Sequence, residues 1–212
     1  MVTGGVHKSS SARVTPTPIT GAKAVDDPYA ALSPPTNAKC GGQKLIRGGT
    51  TTIDPDLAFC SGLTIDDARV TFKPGVYVIK GEFTLSNGAS IFGDSVLIYL
   101  EGAGSDIFFH SNTSFELKAS KTGPYAGIVI WSDRRNTNDH DIYSRFGAYA
   151  EGTIYAPSSQ VEFENKTVWE APCIRIVVAR LELDNDSRYH ASNPAAKCSN
   201  NIYGAKKPKL VN

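Results

Sequence analysis

The sequence predicts an all-β chain folded as a small parallel β-helix, a solenoid of about 19–25 residues per coil with a short N-terminal cap. Three observations lead there. One phrase is written three times, over Thr52 to Gly62, Thr71 to Gly81 and the slightly longer Ser90 to Gly102, so that Thr52, Thr71 and Ser90 are evenly spaced. Each copy holds a short β-rich piece, a Pro or Gly corner, a second β-rich piece and a closing Gly, and a third piece fills the gaps (Leu63 to Ile65, Phe83 to Leu85). No helical periodicity runs through this region. Such coils cannot bury their inner faces alone and do so by stacking. The offsets predict ladders of Ile53, Phe72 and Ile91 and of Leu57, Val76 and Val96. An antiparallel sandwich also spaces its strands regularly, but it does not require like residues at like offsets. Parallel crossovers are right-handed almost without exception, which predicts a right-handed coil.

The elements follow in order. Residues 1–26, with Ser9, Ser10, Ser11, Pro16 and Pro18, read as a flexible linker. Asp27 and Pro28 can cap and start a helical turn up to Leu32, stopped by Ser33, Pro34 and Pro35, and this turn is the expected cap of the first coil. Leu45 to Gly102 holds the clear repeats. Asp106 to Phe109, Phe115 to Leu117 and Gly127 to Trp131 make a longer third coil, with a corner at Ala119 to Pro124. Ser132 to Arg145 is the most polar segment and is long for a corner; long loops are where function often sits. Strand patterns resume over Tyr149 to Ala156, Val161 to Phe163, Ile174 to Val178 and Leu181 to Leu183, and Asp184 to Ser187 is a turn cluster. The β-helix domain therefore spans residues 27–200, and 201–212, with Lys206, Lys207 and Lys209 around Pro208, reads as a mobile tail.

Composition narrows the function classes. The 22 basic and 21 acidic residues leave a net charge of +1, which gives no reason to expect nucleic acid. No run approaches the roughly 20 apolar residues of a membrane span. The four cysteines, 40, 60, 173 and 198, contain no Cys-x-x-Cys pair, which argues against zinc. Pairing Cys40 with Cys60 and Cys173 with Cys198 closes a short loop at each end of the repeat array, where a solenoid lacks a stacking neighbour. That pairing implies an oxidising compartment; four reduced, buried thiols are the alternative.

Several phrases, in this order, resemble a known family: Asp27-Pro-Tyr-Ala30, Cys40, Phe59-Cys-Ser-Gly-Leu63, Pro74-Gly-Val-Tyr-Val-Ile79, Gly123-Pro-Tyr-Ala-Gly-Ile-Val129 running into Asp133 and Arg134, Gly152-Thr-Ile-Tyr-Ala-Pro157, Cys173 and Cys198. The order resembles the C-terminal region of TadE/TadG-like proteins of Flp (tight-adherence) pilus assembly. The resemblance implies an extracytoplasmic location, an anchor helix that lies outside this chain, the two disulfides, and other pilus or envelope proteins as partners. It carries over no catalytic residue and no cofactor.

The candidate interaction surface is the polar loop, with Asp133, Arg134, Arg135, Asp139, His140 and Asp141 flanked by the aromatics Trp131 and Tyr143. A charge-rich loop is in most cases a solvated loop, and hydrolysis needs two carboxyl groups at a set separation. None of the four histidines, 7, 110, 140 and 190, has a second ligand at metal-binding spacing. Asp184 to Ser187 lacks the central Gly and distal Glu of a calcium loop. The reading is a non-enzymatic structural or interaction module of pilus assembly or surface adhesion, capable of homotypic association. The alternative is a carbohydrate-binding or carbohydrate-active β-helix protein with surface polysaccharide as its ligand. Charged side chains from different coils meeting in one groove would favour that alternative.

Overall fold

The computed structural model describes residues 3–8, 13–15, 17–24, 26–42, 44–164, 166–170, 173–184 and 186–190. The chain divides into two compact units, residues 1–33 and 34–212. In the first, the Asp27 carboxylate accepts the N–H of Tyr29 at 2.8 Å, and Leu32 N–H reaches the Tyr29 carbonyl at 2.8 Å. This closes a turn over 28–31 and not a helix. A single turn fixes several dihedrals for few hydrogen bonds, and Ser33 and the prolines after it stop its propagation.

The second unit is a parallel β-helix with three sheets. The first stacks β2 (Thr50–Ile53), β4 (Arg69–Phe72), β7 (Ser90–Gly93), β10 (Ser114–Lys118), the start of β13 (Ala148–Phe163), β14 (Val168–Glu170) and β16 (Arg188–His190). The second stacks β5 (Gly75–Ile79), β8 (Val96–Leu100), β11 (Ile128–Ser132), the middle of β13 and the start of β15 (Ile174–Leu183). The third stacks β1 (Leu45–Arg47), β3 (Leu63–Asp66), β6 (Phe83–Ser86), β9 (Ile107–Phe109), β12 (His140–Ile142) and the ends of β13 and β15.

Alternate residues of each strand face inward, as the period of two demands. Val70, Ile91, Phe115, Ala148 and Trp169 form a buried ladder in the first sheet, and Ile46, Ile65, Leu85, Phe109, Ile142 and Phe163 form one in the third. Edge-on aromatic contacts join strands within a coil, Tyr77 to Phe72 at 4.7 Å, and between coils, Phe83 to Phe109 at 5.1 Å. Burying each such side chain stabilises by about 1.5–3 kcal/mol. The Tyr77 hydroxyl donates into the corner, where the carbonyls of Ile53 and Lys73 lie 2.9 and 2.8 Å away.

The predicted ladders need correction. Ile53 does stack on Phe72, but Phe72 then meets Gly93, and Ile91 lies over Val70. Val76 pairs with Leu97 and Val96 with Gly75, while Leu57 stands outside at 41% exposure. The turn at Asn87 and Gly88, both with positive φ, lengthens that corner, so the third phrase is displaced along its strand. Val96 points inward into the space above Gly93, where a Cβ would come within 2.9 Å of it. The closing Gly62 has a different reason: with φ +79° and the Glu82 carbonyl 2.6 Å from an added Cβ, only glycine fits.

The coil length also departs from expectation. Thr51, Val70, Ile91, Phe115, Ala148, Trp169 and Tyr189 stack in register. The steps between them are unequal: the shortest runs from Thr51 to Val70, and the longest, from Phe115 to Ala148, exceeds the expected range. This long coil gains its extra length at two corners, 119–127 and 133–139. Cys40 and Cys60 form a disulfide with a Cα–Cα distance of 5.5 Å, which ties the segment before β1 to the first coil. A disulfide fits an oxidising compartment outside the cytoplasm. Cys173 is disulfide-bonded as well; its expected partner Cys198, like residues 201–212, lies outside the described residues. No helix among the described residues is long and apolar enough to cross a membrane.

Candidate functional site

The fold divides the predicted loop among three environments. Trp131 belongs to β11 and stands on the outer side of the second sheet, in register with Tyr99 and Tyr155. Asp133 to Asp139 form the corner between the second and third sheets. His140 to Ile142 form β12, so the polar segment is interrupted by a strand. Its alternation sends His140 and Ile142 inward and Asp141 outward. Asp139 is exposed, and Tyr143 opens the next corner on the side of Asp141.

Around Trp131 the polar groups are committed to structure. The indole is fully buried, with ring centroids 5.8 Å from Tyr99, 5.5 Å from Tyr155 and 5.9 Å from Tyr125. The Arg134 guanidinium lies over it at 5.3 Å and donates from Nε to the Tyr155 hydroxyl at 2.8 Å. Arg135 grips the Asp133 carboxylate through Nε at 3.1 Å, a terminal nitrogen at 2.7 Å and its backbone N–H at 2.9 Å. That guanidinium outweighs burial and holds the Asp133 carboxyl down at about 2. Burial, with Asp133 nearby, pushes the Tyr99 phenol up to about 12. Asn136 is buried and donates to Ser132 Oγ at 2.9 Å and to the Ser105 carbonyl. Ser158 and Ser159 of the next coil donate to the carbonyls of Arg134 and Asn136 at 2.7 and 2.9 Å.

His140 sits within the core of the third sheet, in register with Val161 and 1% exposed. Among the described residues neither ring nitrogen has a hydrogen-bond partner, and burial lowers its pKa to about 4, so it is neutral at physiological pH. A buried neutral imidazole in register with Val161 packs as a core residue.

The outer side of the third sheet differs. Thr84, Phe108, Asp141, Glu162 and Glu182 stand one above another on successive coils, about 4.8 Å apart. Phe108 packs edge-on against Tyr143 at 5.8 Å and His110 at 4.5 Å. The Tyr143 hydroxyl donates to the Asp141 carboxylate, and burial with the neighbouring acids raises its pKa. Burial, then a hydrogen bond to Glu164 and the charges of Glu164, Asp141 and Glu182, push Glu162 up to about 7. Asp141 is also raised, first by burial and then by Asp139 and Glu164. Arg180 neutralises Glu182 at 3.0 Å.

This strip offers carboxylate acceptors beside flat aromatic rings on a straight, hydrogen-bonded face. It can accept hydrogen bonds from amines or hydroxyls and pack against the carbon skeleton that bears them. A hydrogen-bonded carboxyl pair is closer than the roughly 5 Å that glycosidases keep even in retaining sites. Among the described residues, no group of three or more His, Cys, Asp or Glu side chains is arranged to hold a metal ion. The sequence does not mark Phe108 or Glu182, and it reads Glu162 and Glu164, which have no basic partner nearby in the chain, only as exposed faces. The signal was present: the steps from Asp141 to Glu162 and from Glu162 to Glu182 equal those from Ala148 to Trp169 and from Trp169 to Tyr189.

No protein-family model matches the chain, and no curated protein or solved structure matches it either.

Proposed function

We infer that this chain is a non-enzymatic, extracytoplasmic structural and interaction module, of the pilus-assembly or surface-adhesion kind that its Flp-type phrases imply. The observation that carries the reading is the acidic and aromatic strip from Phe108 to Glu182, held on consecutive rungs of a rigid face. Its chemistry suits a partner that presents amines or hydroxyls: a basic segment of another pilus or envelope protein, or a surface polysaccharide. Asp133, Arg134 and Arg135 of the long coil hold the corner that shields Trp131. An anchor outside this chain would hold the module at the membrane.

One observation favours the rival, carbohydrate-active reading. Glu162 keeps a proton near neutral pH beside carboxylates from the coils above and below it, which is the pairing of acid and base that general catalysis uses. A binding and turnover experiment separates the two. The oxidised chain is immobilised and exposed to purified envelope proteins of the Flp pilus and to neutral and anionic surface polysaccharides, beside a Glu162→Ala/Glu182→Ala variant. The module reading expects saturable binding of an envelope protein, weakened about tenfold or more in the variant, with no sugar released. Release of oligosaccharide that is lost in Glu162→Gln would establish the enzyme instead.

A further inference from the structure

The outer side of the first sheet carries a third kind of surface. Thr50, Arg69, Ser90 and Ser114 stand in one outward column on successive coils, beside the buried ladder of Val70, Ile91 and Phe115, and successive members are about 4.8 Å apart. Thr71 and Phe92 stand next to them in the second outward column. Arg69 and Thr71 are exposed, and Ser90 and Phe92 are half-buried. None of the outward residues of β2, β4 and β7 is acidic. The nearest outward acid of this sheet, Glu116, lies two rungs from Arg69 and is bound to Lys118 at 2.7 Å.

Arg69 is held in place without being neutralised. Its guanidinium lies over the Phe92 ring, 4.2 Å from the centroid. Nearby cations have acids of their own, Arg47 with Asp66 and Lys73 with Asp54, each at 2.7 Å. Among the described residues no hydrogen bond or ion pair takes up the Arg69 N–H groups, and Asp67, at the preceding corner, forms no ion pair with it. The hydroxyls of Thr71, Ser90 and Ser114 likewise form no hydrogen bond among the described residues. A guanidinium fork matches a planar carboxylate with two parallel hydrogen bonds, and the ring beneath it restrains the long side chain in advance. The hydroxyl column extends the match along the stack. A small free anion would leave that column idle, whereas an extended polyuronate chain, with hydroxyls between its carboxylates, can use both.

We propose that the outer side of the first sheet binds an acidic polysaccharide of the uronate class, with a carboxylate on Arg69 and sugar hydroxyls on Thr71, Ser90 and Ser114. This face is separate from the acidic strip of the third sheet, and different residues test it. The oxidised full-length chain is titrated by calorimetry, in low-salt buffer with a chelator, with alginate and with alginate whose carboxylates are esterified. Saturable binding of alginate is expected, with the esterified polymer about tenfold weaker or worse. Arg69→Gln should weaken alginate binding about tenfold, and Arg69→Lys should lose much of the same, because an ammonium cannot form the fork. Lys39→Gln, which removes a positive charge beside the second sheet, should leave binding unchanged. Alginate that does not bind, or that binds Arg69→Gln as tightly as the parent, overturns the proposal. Inorganic phosphate that displaces alginate at matched charge overturns it too, because the site would then take a small anion. So does Arg69-dependent self-association in light scattering without alginate, because acidic side chains of a second copy would then be the ligand.

Discussion

The outer sides of the second and third sheets are built by the same stacking, and they end in opposite states. On the second, Tyr99, Trp131 and Tyr155 form an aromatic ladder that Arg134 and Tyr125 overlie, and all three are at most 2% exposed. On the third, Phe108, Asp141 and Glu162 form a ladder that stays half-buried and open. The difference comes from the corners. The long coil places its insertions on both sides of β11, and they fold back over the second sheet as a small outer core. Among the described residues no such insertion covers the third. Polarity alone therefore does not mark which surface stays open in this molecule. The most charged corner is structural, and the open surface lies on strands whose acids are scattered along the sequence.

Paired substitutions test that contrast. The largest effect is expected from Trp131→Ala, which empties the outer core and should cost roughly 3–5 kcal/mol in urea unfolding. Glu162→Ala, at the matching place on the open side, should stay within about 0.5 kcal/mol of the parent. Equal losses would mean that the two surfaces do the same job.

A second test contrasts the inside and outside of the third sheet. His140 has a folded pKa near 4 against an ordinary value of about 6.5. The unfolded chain therefore binds the extra proton, and stability falls as pH drops from about 6.5 towards 4, by up to about 3 kcal/mol. His140→Leu should remove that slope and gain most near pH 4, as read from denaturation midpoints against pH. A parent curve flat across this range would show that the imidazole is not held neutral.

The smallest effect belongs to Glu162. Its folded pKa, about 7, is raised, so its contribution is present below the ordinary carboxylate range and is lost as pH rises through 7. Glu162→Gln should therefore raise the midpoint slightly at pH 8 and leave it unchanged at pH 4. A larger gain at pH 4 would show that the Glu162 carboxyl is not raised.

How far the sequence reveals this structure varies with position. The solenoid is legible because Thr52 to Gly81 repeats with an almost constant offset. The registers of Ile91 and Val96 are not, because the Asn87–Gly88 turn lengthens a corner without leaving a mark on the strands beside it. His140 misleads for a related reason. A three-residue strand inside a polar run shows only one apolar neighbour, Ile142, and an inward imidazole looks like part of the loop. The tryptophan was recognised as a neighbour of the charged corner, but its burial depends on Arg134 and Tyr125 closing over it, which spacing does not reveal. The acidic ladder could have been found, since its steps repeat those of the core; finding it requires the core registers first.

The corners that stretch the coil between Phe115 and Ala148, and leave the one between Thr51 and Val70 short, add breadth and no height. Every coil advances the stack by one strand spacing of about 4.8 Å, whatever its length. Phe108 and Glu162 are far apart in the chain but only two rungs apart along the axis. Position along this surface is thus counted in rungs, as on a ruler. A descendant of this chain can lengthen or trim its corners and still offer a partner the same marks at the same intervals.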